Sequence, residues 1–138
     1  MSRRPLGAGF LLAHLAGDYL LQTNHQANAK TSGWGPALQH AVTYTAAHLP
    51  VTRDPVALLV IGGTHAVIDR YRLAKYVTWL KNQAGPAASR TTLEDLQQTG
   101  TGYPAGTPPW MAVWLMIVAD NTIHLLINAA ALRWRADR

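Results

Sequence analysis

The apolar residues of this chain fall into four long runs, separated by polar segments or by segments rich in glycine and proline. None of the runs alternates apolar and polar residues with a period of two, as a half-buried strand does, so the pattern predicts helices throughout. We expect an all-α protein whose helices cover about residues 5–24, 34–49, 55–82 and 109–134.

Signals at the ends of the runs support these boundaries. Pro50 closes the second run, and Asp54 followed by Pro55 has the residue types of an N-cap and a first helical position. The segment 83–108 predicts a long loop, within which TTLEDLQQ forms one or two helical turns capped by Thr91 or Thr92. A chain of 138 residues suits a single domain, and short connections favour a four-helix bundle with alternating helix directions.

Composition favours a bundle that is membrane-embedded or membrane-associated. Hydrophobic residues make up 49% of the chain and charged residues only 14%, against roughly 25% in soluble domains. Trp114 and Trp134 lie twenty residues apart in the fourth run, about 30 Å of helix, which matches the hydrocarbon thickness of a bilayer. The second and third runs are short for a span, so a soluble, very apolar bundle stays open as the alternative.

Charge and cysteine content exclude some classes of function. The net charge is +5, but the basic residues cluster at the ends of the runs and not along one helix face, so we expect no nucleic-acid partner. An alternating topology places equal numbers of basic residues on its two sides, so charge predicts no membrane orientation. The absence of cysteine excludes disulfides and thiolate zinc sites.

Three of the four runs carry a histidine and an aspartate four positions apart, on one face of a helix. The pairs are His14 and Asp18, His65 and Asp69, and, in reversed order, Asp120 and His124. If the last helix runs opposite to the first and third, the aspartates share one level and the histidines another, about 6 Å apart along the axis. His40, in the second run, can join either level.

An apolar interior rejects such side chains unless something compensates them. Imidazole together with carboxylate suits a divalent metal, zinc or manganese first and iron as a further option, and helical bundles hold such sites. We expect one or two ions, and seven ligands favour a pair about 3.5–4 Å apart. The predicted ligands are His14, Asp18, His40, His65, Asp69, Asp120 and His124, with the three aspartates also the candidate catalytic residues. The alternative is a set of Asp–His hydrogen bonds that only fix helix register.

Other polar residues near the predicted ligands have different expected roles. Gln22 and Asn121 are predicted to hydrogen-bond the ligands, although ordinary hydrogen bonds between helices explain them equally well. His25 and His48 lie at the ends of runs, where we expect exposed side chains that bind no metal.

The motifs HLAGDYLLQ, HAVID and DNTIH, with His40 between the first two, resemble domain of unknown function 3307, a family of small predicted-membrane proteins of bacteria and bacteriophages. The resemblance runs from about residue 6 to residue 130. It departs from the family's final motif, which often continues Asp-Gln, because Asn121 follows Asp120 here. The resemblance implies a polar site and a location in the bacterial inner membrane, or in a host membrane for a phage protein, and it implies no reaction.

The residues lead us to expect a membrane-associated, metal-dependent hydrolase of a phosphoester or another anionic substrate. The metal would lower the pKa of a bound water, and an aspartate would act as general base. Lys30, Arg70 and Arg72 fall on the aspartate side and are candidates for binding the anion, and segment 85–108 is a candidate lid. The alternative is a non-enzymatic membrane protein, alone or as an oligomer, that forms an ion or proton path, interacts with a host protein, or uses its pairs only structurally.

Overall fold

A computed structural model describes residues 7–138, which form helices and no strand, as the pattern predicts. Seven α-helices follow one another where the pattern predicted four. They are α1 (Gly9–Leu15), α2 (Asn24–Ala29), α3 (Trp34–Ala47), α4 (Pro55–Tyr71), α5 (Ala74–Asn82), α6 (Leu93–Thr99) and α7 (Pro109–Ala136). A π-helical turn, Ala16–Leu20, continues α1, and a 3₁₀ turn covers Ala87–Ser89. The chain divides into two compact units: the segment up to Tyr71 with His124–Arg138, here unit 1, and Arg72–Ile123, here unit 2.

The first predicted helix, 5–24, is shorter than expected, and its first two residues lie outside the described part of the chain. It ends with the π-helical turn, and Thr23 starts the separate helix α2. The Thr23 hydroxyl accepts a hydrogen bond from the Gln26 backbone N–H, and the Gln26 side chain accepts one from the Thr23 N–H. This capping box satisfies two N–H groups that a new helix leaves unpaired, so the chain begins α2 here.

The third predicted helix, 55–82, is interrupted. Arg72 has a φ of 50°, which ends α4 at Tyr71, and α5 begins at Ala74. Within unit 2, the Arg72 guanidinium packs over Gly100, the left-handed residue that ends α6, where a cation is favoured by the helix dipole. The break contains no glycine or proline, and the apolar periodicity runs across it. The sequence pattern therefore did not predict it.

The predicted loop 83–108 contains more structure than expected, because α6 lies within it. Thr92 is the N-cap, and its hydroxyl accepts from the Asp95 N–H while the Asp95 carboxylate accepts from the Thr92 N–H. Gly102 then lies against α5, where a Cβ would collide with the Lys75 carbonyl oxygen. The segment therefore packs onto α5 as part of unit 2.

Unit 1 is built around α3 and α4. Its small apolar core consists of Tyr44, Ile61, Ala131 and Leu132, with Phe10, Val51 and Val60 packed against it. Asp54 caps α4 as predicted, because its carboxylate accepts from the Ala57 N–H at 2.8 Å. The same carboxylate accepts two hydrogen bonds from Arg135, at 3.0 and 2.8 Å, which fastens the last turn of α7 to the start of α4.

Helix α7 is long and apolar enough to cross a membrane. It has 28 residues, its most apolar 18-residue window has a mean hydropathy of 1.6, and 11% of that window is buried. Among the described residues it is the one helix that meets these criteria of length and composition.

The pair Gly62 and Gly63 provides a matched test of the packing between α3 and α4. A Cβ on Gly62 would collide with the Thr45 hydroxyl, whereas a Cβ on Gly63 would meet nothing within 4 Å. We expect Gly62→Ala to lower the free energy of unfolding by about 1–3 kcal/mol, as overpacking does. Gly63→Ala should raise it by about 0.5–1 kcal/mol, because alanine favours the helix. Thermal melts of both variants would check this, and equal effects would contradict it.

Candidate metal centre

Four segments of unit 1 bring histidine and aspartate side chains together. The π-helical turn carries Asp18, α3 carries His40, α4 carries His65 and Asp69, and α7 carries His124. The π turn is closed by a hydrogen bond from the Leu21 N–H to the Ala16 carbonyl. Such turns are frequent at functional sites, because they change the direction in which their side chains point.

One group consists of Asp18, His40 and His65. The Nε2 atoms of His40 and His65 lie 2.9 Å apart. The Asp18 Oδ1 atom lies 3.2 Å from the first and 3.3 Å from the second. Both imidazoles are buried, and Asp18 retains 12% exposure of its side chain.

A second group consists of His65, Asp69 and His124, all buried. Asp69 Oδ2 lies 3.2 Å from His65 Nε2, and Asp69 Oδ1 lies 3.5 Å from His124 Nε2. His40 Nε2 is also 3.5 Å from Asp69 Oδ2, so the two groups are continuous. The side chains converge on one region, and the carboxylates do not lie on a separate level from the imidazoles as the helix geometry suggested.

These separations fit a shared ion. Nitrogen and oxygen ligands bind zinc at about 2.0–2.2 Å, and atoms at that distance from one ion lie about 2.9–3.5 Å from each other in octahedral or tetrahedral geometry. The ligand atoms of each group lie within 4.8 Å of one another. The buried His/Asp groups can therefore hold a metal ion.

Lys30 and Gln22 lie at the more open edge of the cluster. The Lys30 ammonium, whose side chain is 20% exposed, forms an ion pair with Asp69 Oδ2 at 2.8 Å. In the amide orientation that satisfies both its atoms, the Gln22 oxygen accepts from Lys30 Nζ and from His40 Nε2, each at 3.0 Å. Both residues were singled out in the sequence, and the structure places them at this edge.

The surroundings keep Asp69 ionised. Burial by itself raises the pKa of Asp69, but hydrogen bonds from His124 and His65 and the charge of Lys30 outweigh it, so the carboxyl pKa lies well below its usual range. Burial lowers the pKa of His65 despite the opposing effect of Asp69, which favours the neutral imidazole that a metal requires.

A second polar network adjoins the cluster. The Tyr44 hydroxyl lies 2.7 Å from His14 Nδ1 and accepts from the Asn128 amide at 2.7 Å. The same amide lies 3.2 Å from His48 Nε2, and His48 Nδ1 lies 2.9 Å from the Tyr44 carbonyl. Burial lowers the pKa of His48, so its ring is neutral, donates from Nδ1 and accepts at Nε2.

This network corrects the expectation that His48 is exposed, because His48 is fully buried. Its position at the end of α3 does not leave it in solvent, since the ring is satisfied by the last turn of its own helix. Sequence reasoning also missed Tyr44 and Asn128. Tyr44 follows His40 and Asn128 follows His124 at the same four-residue spacing. The pattern of polar residues on one helix face, continued by one turn, therefore points to both.

The remaining candidates are members of neither group of ligand atoms. His14 Nδ1 is 3.6 Å from Asp18 Oδ2, but His14 belongs to neither group of ligand atoms. Arg70 donates to the Thr31 carbonyl at 2.6 Å, next to Lys30 in sequence. His25 is exposed, as expected. Asp120, Asn121 and Arg72 belong to unit 2, and the Asn121 amide donates to Ile117 in its own helix.

The fold and the site together define the class of this protein: it is all-helical and contains a buried His/Asp cluster. Residues 7–90 match the sequence model of a family described as protein of unknown function (DUF3307). The match covers more than half of the chain, so the chain belongs to this family, as the motifs indicated. It includes Asp18, His40, His65 and Asp69 but ends before α7, whereas the resemblance was expected to reach about residue 130. No curated protein and no solved structure matches the chain.

His65 provides a test of how many ions the cluster holds. His65 Nε2 is the nitrogen of this ring that lies nearest to Asp18 and to Asp69, and its single lone pair can bind one ion. We expect the purified protein to bind about one equivalent of zinc or manganese, and His65→Gln to lose it. Elemental analysis by mass spectrometry after dialysis would measure this, with exposed His25→Gln as the matched control. Two tightly bound equivalents, or unchanged binding in His65→Gln, would contradict a shared site.

Proposed function

We propose that this chain is a membrane-associated, metal-dependent hydrolase that acts on a phosphoester or a similar anionic substrate. The observation that supports it best is the convergence of three imidazoles and two carboxylates in the interior of unit 1, each with a ligand atom within 2.9–3.5 Å of at least one other. Family membership adds no reaction, because the family is described as of unknown function.

The charges of the cluster support a bound cation. The carboxylates Asp18 and Asp69 lie near one ammonium group, that of Lys30, so these three side chains together carry one net negative charge. A buried negative charge is costly, and a divalent cation would offset it and leave one net positive charge for an anionic substrate to balance. A positive, partly open site would then attract an anion.

Each group at the proposed site would have a separate role in hydrolysis. A divalent ion would supply Lewis acidity and lower the pKa of a bound water. Asp18, with 12% of its side chain exposed against 3% for Asp69, is the carboxylate that we assign to accept a proton. Lys30 lies at the more open edge of the cluster, and Arg70 is tethered beside it through Thr31, so both are candidates to bind the substrate anion.

Apolar surface supports the membrane location. On α1 and its π turn, large apolar side chains are exposed, with Leu12 at 63% and Leu20 at 82%. On α7, Trp114 and Leu126 are exposed to a similar degree. Single exposed leucines are ordinary, but apolar residues exposed along a helix that is long enough to span a bilayer are typical of contact with lipid.

A second candidate function is an ion or proton path, because the row of His14, Tyr44, Asn128 and His48 continues the polar interior beyond the cluster. Polar residues of this kind mark such paths in membranes. The two functions differ in their readout, since a path moves protons across vesicles without added substrate and a hydrolase does not.

Asp18→Asn tests the hydrolase. We expect the metal-loaded protein to cleave bis(p-nitrophenyl) phosphate, and the variant to lose about 10²–10⁴-fold in kcat, because the amide cannot accept the proton. Release of p-nitrophenolate measures the rate, and His25→Ala is the control outside the site. Absence of hydrolysis by the zinc- and manganese-loaded protein, with this diester and with a fluorescent phosphatidyl ester, would contradict the proposal.

Leu126→Lys tests the membrane location. Leu126 is 66% exposed near the middle of α7, and a lysine at the centre of a membrane helix costs about 2.5–3.5 kcal/mol on insertion. We expect the parent chain to stay in the membrane fraction after carbonate washing and the variant to be partly extracted. Leu93→Lys, at a residue of α6 that is 62% exposed, is the matched control. If both variants and the parent are extracted alike, α7 does not lie in lipid.

A further inference from the structure

His65, the histidine shared by the two groups, lacks the second hydrogen bond that usually orients a metal-binding imidazole. A histidine that binds a metal through one ring nitrogen generally donates from the other to a carboxylate or a carbonyl, which fixes the plane of the ring. The Nδ1 atoms of His65 and His40 are buried and have no hydrogen-bond partner within residues 7–138. No hydrogen bond at Nδ1 therefore helps to fix the plane of the His65 ring.

Tyr44 supplies a different constraint. Its ring stacks on His65 with 3.7 Å between centroids and 13° between planes, which is van der Waals contact over the whole face. Rotation of the imidazole about its Cβ–Cγ bond would drive its edge into the tyrosine ring. The stack thus limits His65 to the ring plane in which Nε2 lies 3.3 Å from Asp18 Oδ1 and 3.2 Å from Asp69 Oδ2.

The tyrosine ring is itself held at several points. Its hydroxyl is hydrogen-bonded to His14 of α1 and to Asn128 of α7. Gly17 packs on the ring from the π turn, where a Cβ would lie 2.6 Å from Cδ2. A ring fixed at its tip and along its edge is a rigid surface against which a ligand can be oriented.

We propose that Tyr44 is a positioning residue of the metal centre, which sets the plane of the shared ligand His65 by ring stacking in place of a hydrogen bond. The inference rests on the proposed metal site but not on hydrolysis. It assigns the orienting role to the aromatic face, and it assigns the hydroxyl to anchoring that face.

Cobalt(II) substitution tests the proposal, because the visible absorption of bound cobalt reports the geometry of its ligands. We expect Tyr44→Leu and Tyr44→Met, which fill the space without a flat face, to weaken cobalt binding about 10–100-fold and to change the absorption spectrum. Tyr44→Phe keeps the stack, so it should keep the parent spectrum and a cobalt affinity within about threefold of the parent. That change is much smaller than the roughly 10–100-fold loss expected when a group that orients a ligand is removed. Tyr76→Leu, at an exposed tyrosine of α5, is the matched control and should leave both unchanged.

The outcomes separate this inference from the metal site. A parent protein that binds no cobalt would overturn both. Cobalt binding with the parent spectrum and affinity in Tyr44→Leu or Tyr44→Met would overturn the positioning role alone. If neither variant shows a cooperative thermal transition, Tyr44→Phe decides, because a changed spectrum there would show that the hydroxyl and not the ring face orients His65.

Discussion

Two carboxylates lie in the interior of unit 1 among imidazoles, and the surrounding structure has to compensate them. Each ionised carboxylate loses its hydration on burial, a cost that only nearby positive charge or good donors can offset. Asp69 obtains these from His65, His124 and Lys30, and Asp18 obtains them from His40 and His65. Because the partners come from four segments, compensation of the charges also fixes where those segments meet.

Tyr44 links this polar cluster to the apolar part of the unit. It belongs to the small core with Ile61 and Leu132, yet its hydroxyl and ring both contact histidines. A residue with an apolar body and a polar tip can serve both environments at once. The absence of side chains on Gly17 and Gly62 lets the π-helical turn and α4 approach α3 closely enough for these contacts.

The sequence predicted which side chains meet in unit 1 better than where the helices begin and end. Three pairs at a four-residue spacing and His40 were visible as a pattern, and the structure brings five of those seven side chains together in unit 1. The break at Arg72 was not visible, because a left-handed arginine is stabilised by contacts in unit 2 and not by local propensity. The burial of His48 was not predicted either, because it also depends on a contact that is distant in sequence: Asn128 lies 80 positions away along the chain.

The family match also limits where a shared chemistry can lie. It ends at residue 90, so it contains the complete group of Asp18, His40 and His65 but only part of the group that needs His124. We propose that chemistry shared with the family is carried by residues inside the matched segment. The first group meets that requirement by itself, since it supplies two imidazoles and the more exposed carboxylate. In the proposed hydrolase, Asp69 and His124 would adjust the charge and the geometry of an ion held by the first group, and Asp18 would be the side chain on which the proposed chemistry depends most.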